Sequence, residues 1–127
     1  MFSEGLSLYK DSSELTFKIL KILDNKKAID LKALYVGDLT TVADYFIIAS
    51  GTSITHVKSL CDEVEEKLNE DGVPVNHIEG YNSARWILMD YGNVVVHIFT
   101  KDERDFYSLE RLWSDAKEIV LDKLIFD

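Results

Sequence analysis

Cysteine is almost absent from this chain of 127 residues: Cys61 stands alone and cannot form an internal disulfide. Nothing therefore marks an oxidising compartment. Proline is as scarce, with Pro74 alone, and no Gly/Ser-rich stretch or internal repeat interrupts the chain. Without a linker signal there is no place to divide it. One domain over residues 1–127 is expected, with residues 1–10 as a loose lead-in. No apolar run approaches the roughly 20 residues that a membrane span requires. Met1-Phe2-Ser3-Glu4-Gly5 lacks the basic start and apolar stretch of a secretory signal. A cytoplasmic location is the expectation.

Positive charge is also in short supply. Lys and Arg number 14 against 23 Asp and Glu, for a formal charge of −9. Phosphate contacts need clustered Lys and Arg, so general nucleic-acid binding is excluded as the main activity, and a basic partner is favoured. Lys18, Lys21, Lys26, Lys27 and Lys32 form the local exception. They read as a solvated face or as a limited contact with RNA. His56, His77 and His97 are scattered, with no Cys or second His at ligand spacing, and no Ser/His/Asp or Cys/His arrangement stands out. No enzyme activity, cofactor or metal is expected.

What the chain does have is 46% hydrophobic residues, enough for a packed core. Asp11 followed by Glu14 resembles a capping box, and Leu15, Ile19, Ile22 and Leu23 recur at helical spacing, which predicts a helix over 12–27. Alternation predicts a strand over 29–36, and Tyr45-Phe46-Ile47-Ile48 reads as a central strand. Thr52 or Ser53 then caps a second helix with the stripe Ile54, Val57, Leu60, Cys61, Val64 and Leu68, stopped by Gly72 and Pro74. Cys61 falls on its buried side. Val73 to Glu79 is a short strand, and helix is expected over Asp102–Trp113, continuing or restarting over Ser114–Leu124. The order α-β-β-α-β-β-β-α gives an α/β (α+β) fold, a mixed sheet with flanking helices and a helical extension over 115–127.

The most informative stretch is the hairpin Trp86–Tyr91 and Val94–Phe99 around Gly92-Asn93. Pairing Tyr91 with Val94 puts Ile87, Met89, Tyr91, Val94, Val96 and Ile98 on one apolar face. The other face carries Trp86, Leu88, Asp90, Val95, His97 and Phe99. An unpaired Asp is costly to bury, and a solvated face rarely holds Trp, Leu and Phe together. Two explanations stay open, and both can hold. Either the C-terminal helix covers this face with Phe106, Leu109 and Trp113 while Asp90 pairs with His97, or part of the face is an exposed aromatic patch with a polar rim, as in a protein interface.

A strand, then Gly51-Thr52-Ser53, then a helix invites comparison with nucleotidyltransferases, where such a turn holds phosphates. That chemistry also needs two carboxylates at alternate positions on a neighbouring strand to bind Mg²⁺. No predicted strand offers them. The turn reads as a helix cap, and a nucleotide-binding enzyme is the disfavoured alternative.

Four stretches resemble the ribosomal silencing factor family, also called Iojap-related proteins. They are Ala43 to Ser53, Glu79-Gly80, Trp86 to Gly92 with Val95-Val96-His97, and Arg104 to Trp113. The resemblance spans about residues 12–115. It implies a nucleotidyltransferase-like core without the catalytic carboxylates. It also implies binding to protein L-fourteen (uL-fourteen) of the large ribosomal subunit, a block on subunit joining, and translation repression when nutrients are short. Carried over by position, Trp86, Leu88, Asp90, His97, Tyr107, Glu110 and Trp113 are the partner-binding candidates. On that reading Trp86 and Leu88 are apolar anchors, while Asp90 and Glu110 meet Lys or Arg. Asn93 stands where the family often has an acidic residue, and the tail Val120–Asp127 runs past the matched region. The resemblance also allows a homodimer, which bacterial relatives can form and an apolar tail would support.

Overall fold

The first helix begins where its cap is written in the sequence. Asp11 accepts from the backbone N–H groups of Ser13 and Glu14, each at 3.1 Å, giving partners to two donors that a helix start leaves free. Helix α1 runs over Ser12–Asn25 and buries Leu15, Ile19, Leu20, Ile22 and Leu23. Helix α2, Ile54–Glu70, is capped by the Ser53 side chain and buries Val57, Leu60, Cys61, Val64 and Leu68. Burial, with Asp62 and Glu65 nearby, pushes the Cys61 thiol up to about 12, so it packs as a small apolar group and is not a nucleophile. These elements belong to a computed structural model that describes residues 11–121. The expected lead-in over 1–10 and the end of the apolar tail lie outside the described residues, and with the latter any role in pairing two copies.

Six strands follow the sequence order β1 Ile29–Tyr35, β2 Tyr45–Gly51, β3 His77–Glu79, β4 Trp86–Asp90, β5 Val94–Thr100 and β6 Lys117–Glu118. They form one sheet in the order β3-β4-β5-β2-β1-β6. The central pair β2 and β5 is parallel and the other pairs are antiparallel, so the sheet is mixed. The hairpin has the expected register, with Trp86 opposite Phe99 and Asp90 opposite Val95. Tyr91 N–H donates to the Val94 carbonyl at 2.9 Å and Gly92 takes φ 86°, a conformation that glycine adopts without strain. Gly80 also has positive φ, and a Cβ there would collide with the Trp86 carbonyl, so Glu79-Gly80 lets β3 turn tightly against β4.

Three expectations need correction. The strand expected over Val73–Glu79 shrinks to His77–Glu79. Val73 N–H is spent closing α2 on the Leu68 carbonyl at 2.8 Å, and Pro74 has no N–H for a ladder. The helix expected over Asp102–Trp113 is two short pieces, α3 Lys101–Tyr107 and α4 Leu109–Leu112, broken at Ser108 with φ 48°. The helical extension fails at Lys117–Glu118, which pairs with β1 instead, Glu118 opposite Leu34 and Lys117 opposite Tyr35. Ile119 N–H continues the ladder to the Ala33 carbonyl at 2.9 Å, and Ile119 and Leu121 pack against the core. An otherwise open edge of β1 and two apolar side chains with somewhere to go outweigh a short, uncapped helix.

Candidate partner-binding face

The two faces of the hairpin separate as the alternation requires. Ile87, Met89, Tyr91, Val94, Val96 and Ile98 all join the large core shared with α1 and α2. On the opposite face, Val95 and Phe99 join Leu34, Val36, Ala43, Phe46, Ile48 and Leu109 in a smaller layer. Trp86, Leu88, Trp113 and Ala116 are packed against it and only half-buried. Its cover comes from α3, α4 and the turn that follows them.

That cover is partial. Leu109 is buried, and Trp113 meets Phe46 edge-on at 5.1 Å, as expected of covering residues. Phe106 does not cover the face: it is 78% exposed, and its ring meets Tyr107 edge-on at 5.0 Å. The left-handed Ser108 ends α3, so positions 106 and 109 no longer share one helical stripe. Tyr107 is 47% exposed and its ring lies 5.0 Å from that of Trp86, which also stacks on Phe99 at 4.9 Å. Leu112 is 76% exposed.

Asp90 and His97 do not pair, which corrects that expectation. Leu88 is the residue opposite His97, and Asp90 sits one same-face step along, about 7 Å away. Asp90 instead accepts the Gly92 N–H at 2.7 Å, closing the turn, and lies 3.5 Å from His77 Nδ1. His77 also meets Glu79 at 2.9 Å. His97 Nδ1 is bonded to Trp86 Nε1 at 3.1 Å. Burial lowers the His97 pKa to about 4, so the ring is neutral at pH 7.

Glu110 is occupied internally. Its Oε2 accepts from Arg104 Nε at 3.0 Å and Nη2 at 2.8 Å, while Arg104 Nη1 reaches Ser50 Oγ at 2.9 Å. Burial raises the Glu110 pKa, but the Arg104 hydrogen bonds, its own backbone and the charges of Arg104 and Lys32 together hold it below the ordinary value. Arg104 is only 7% exposed and forms one wall of a cleft of about 760 Å³, shared with Lys32, Ser50, Lys101, Glu110 and Arg111. The structure thus gathers Trp86, Leu88, His97, Tyr107 and Trp113 around one aromatic layer, puts Asp90 at its turn end, and turns Glu110 towards the cleft. Sequence reasoning missed two participants. Phe46 could have been found, because it alternates with Ile48 and Ser50 on β2. Arg104 could not, because its partner Ser50 is 54 residues away.

The remaining candidates resolve into structure. Thr52 N–H donates to His56 Nδ1 at 2.9 Å and His56 N–H to Ser53 Oγ at 3.0 Å. The second ring nitrogen of His56 bonds the Lys26 carbonyl at 2.9 Å. The Gly51-Thr52-Ser53 turn is therefore a cap tying α2 to the end of α1. Lys18 and Lys26 face Asp71 and Glu63 at 3.9 and 4.0 Å, which leaves less free charge on that side than the sequence suggests. Among the described residues no three His, Cys, Asp or Glu side chains converge as metal ligands, and no helix is long and apolar enough to cross a membrane.

Scaffold and face together define an α/β protein whose mixed sheet is sealed on one side and thinly covered by aromatics on the other. Residues 9–126 match the family model described as ribosomal silencing factor during starvation. Over 108 residues the chain is 45% identical to ribosomal silencing factor RsfS of Bacillus subtilis, covering 82% of this chain and 92% of that protein. Over 99 residues it is 29% identical to mitochondrial assembly of ribosomal large subunit protein 1 of Mus musculus, covering 76% of this chain and 43% of that one. A crystal structure of a Chromobacterium violaceum protein superposes with a TM-score of 0.80 at 36% identity, covering 82% of this chain and 87% of that one. The chain belongs to the ribosomal silencing factor family.

Proposed function

We propose that this chain acts as a single cytoplasmic domain, without catalysis or cofactor. It docks on the large ribosomal subunit through protein L-fourteen (uL-fourteen), keeps the two subunits apart, and so represses translation under nutrient limitation. The observation that carries this reading is the thinly covered aromatic layer around Trp86, which half-exposed Tyr107 extends to the surface. Rigid aromatics at the centre and polar groups at the edge are what a protein interface needs. The chain's net charge of −9 favours a basic surface on the partner. A relative's name, which ties it to assembly of the ribosomal large subunit, supports the choice of subunit.

Within this reading Trp86, Leu88, Tyr107 and Trp113 give apolar contact, and Asp90 faces a Lys or Arg. Glu110 has a narrower part, holding Arg104 and α4 in place. The test is sedimentation of the purified protein with separated subunits, followed by a subunit-joining assay. Co-migration with the large subunit and fewer joined ribosomes is the expected result. Asp90→Asn, which keeps an acceptor for Gly92 N–H, should weaken co-migration without lowering the melting temperature. Failure of the unaltered protein to co-migrate at moderate salt would remove the proposal.

A further inference from the structure

His97 is 5% exposed, and its two ring nitrogens have unequal surroundings. An indole N–H only donates, so the 3.1 Å bond from Trp86 Nε1 makes His97 Nδ1 an acceptor. In the neutral ring the proton then sits on Nε2. That Nε2–H is buried and has no hydrogen-bond partner. An unmet buried donor is costly, because it gives up its bond to water and gains none in return. Phenylalanine would fill much of the same space, beside Phe46 edge-on at 5.1 Å and Phe99 stacked at 6.4 Å, and would remove the unmet donor while taking the acceptor from Trp86 Nε1–H.

The donor belongs to the thinly covered face: His97 and Trp113 each meet the Phe46 ring edge-on at 5.1 Å. Leu109, Trp113 and Ala116 pack over its layer, and they belong to α4 and the following turn, just past the strained Ser108. We propose that His97 Nε2–H is the specificity-determining donor of the docking face, completed by a neutral carbonyl oxygen of the partner when Trp113 shifts aside. This rests on the docking proposed above. A carbonyl fits better than a carboxylate, because a buried carboxylate would need a cation of its own, and the buried Arg104 on this face is already paired with Glu110. A partner that brings its carbonyl to this depth gains a bond worth more than the same bond at the surface, because no water competes for it. Partners lacking an acceptor there leave the donor unmet and are disfavoured.

Two measurements test this. Long-range ¹H–¹⁵N correlation on the free protein should show the Nε2–H tautomer at His97, and the Nδ1–H tautomer would overturn the proposal outright. Affinity for the large subunit is then compared for the unaltered protein, Trp86→Ala, His97→Phe and His97→Gln. His97→Phe should keep a cooperative melt yet bind at least about tenfold more weakly. His97→Gln, which can supply an amide N–H, should recover part of that loss. If His97→Phe binds as the unaltered protein while Trp86→Ala does not, the docking face stands and the donor role is wrong. If the unaltered protein itself does not bind, the docking reading fails first. Should His97→Phe lose its cooperative melt, the comparison of His97→Gln with His97→Leu decides, equal affinities overturning the donor role.

Discussion

The two sides of the sheet were built to different standards. Under α1 and α2, residues from two long helices and four strands interlock, and most are wholly buried. On the other side the helices are seven and four residues long, and Trp86, Leu88 and Trp113 keep part of their surface in solvent. On the proposed function, the difference separates stability from recognition. The sealed side carries the larger buried core, and on the proposed function the thin side keeps aromatics for a partner.

Mutations on either side should break that division if it is wrong. The largest effect expected is on the sealed side: Leu60→Ala should cost about 2–5 kcal/mol of stability in urea unfolding, as a cavity in a core that cannot collapse. Subunit binding by the fraction still folded should be unchanged. The next belongs to the thin side and depends on pH. His97 has a folded pKa of about 4 against an unfolded value near 6.5. Between those values the unfolded chain holds a proton that the folded chain lacks, so stability is whole above about pH 6.5 and declines as pH falls to about 4, by about 3 kcal/mol in all. His97→Phe should flatten that part of the pH profile by close to one proton. Trp86→Ala should reduce large-subunit affinity by about 30-fold, the effect of losing an aromatic anchor worth about 2 kcal/mol, while destabilising the fold less than Leu60→Ala. The smallest change is at the edge of the sealed side, where Asp11→Ala should remove about 1 kcal/mol by leaving two helix-start donors unmet. Thermal melts would detect it.

Much of this architecture was legible because its signals are local. The Asp11 cap, the stripe through Val57 and Leu60, and the hairpin register around Gly92-Asn93 each depend on residues a few positions apart. Errors gathered where distant residues competed. The tail pattern from Ser114 onwards suits a helix in isolation, yet the open edge of β1 draws Lys117–Glu118 into the sheet. Asp90 and His97 looked like partners because they share a face, but the nearer Gly92 N–H and Trp86 indole took them first. Glu110 looked free in sequence and is held by Arg104 in space.

By itself the sequence determined which residues alternate and where helices start, and hence that one hairpin would carry an apolar face and an aromatic one. Periodicity and capping act within a few residues, so they are written in the order of the chain. Only the tertiary structure decided how much of the aromatic face is covered, that Phe106 points away from it, and that His97 keeps a buried donor unmatched. Those outcomes depend on where a break at Ser108 sends the following turn, and on which of several groups reaches a partner first. They arise from contacts between residues far apart in sequence, which no local pattern encodes.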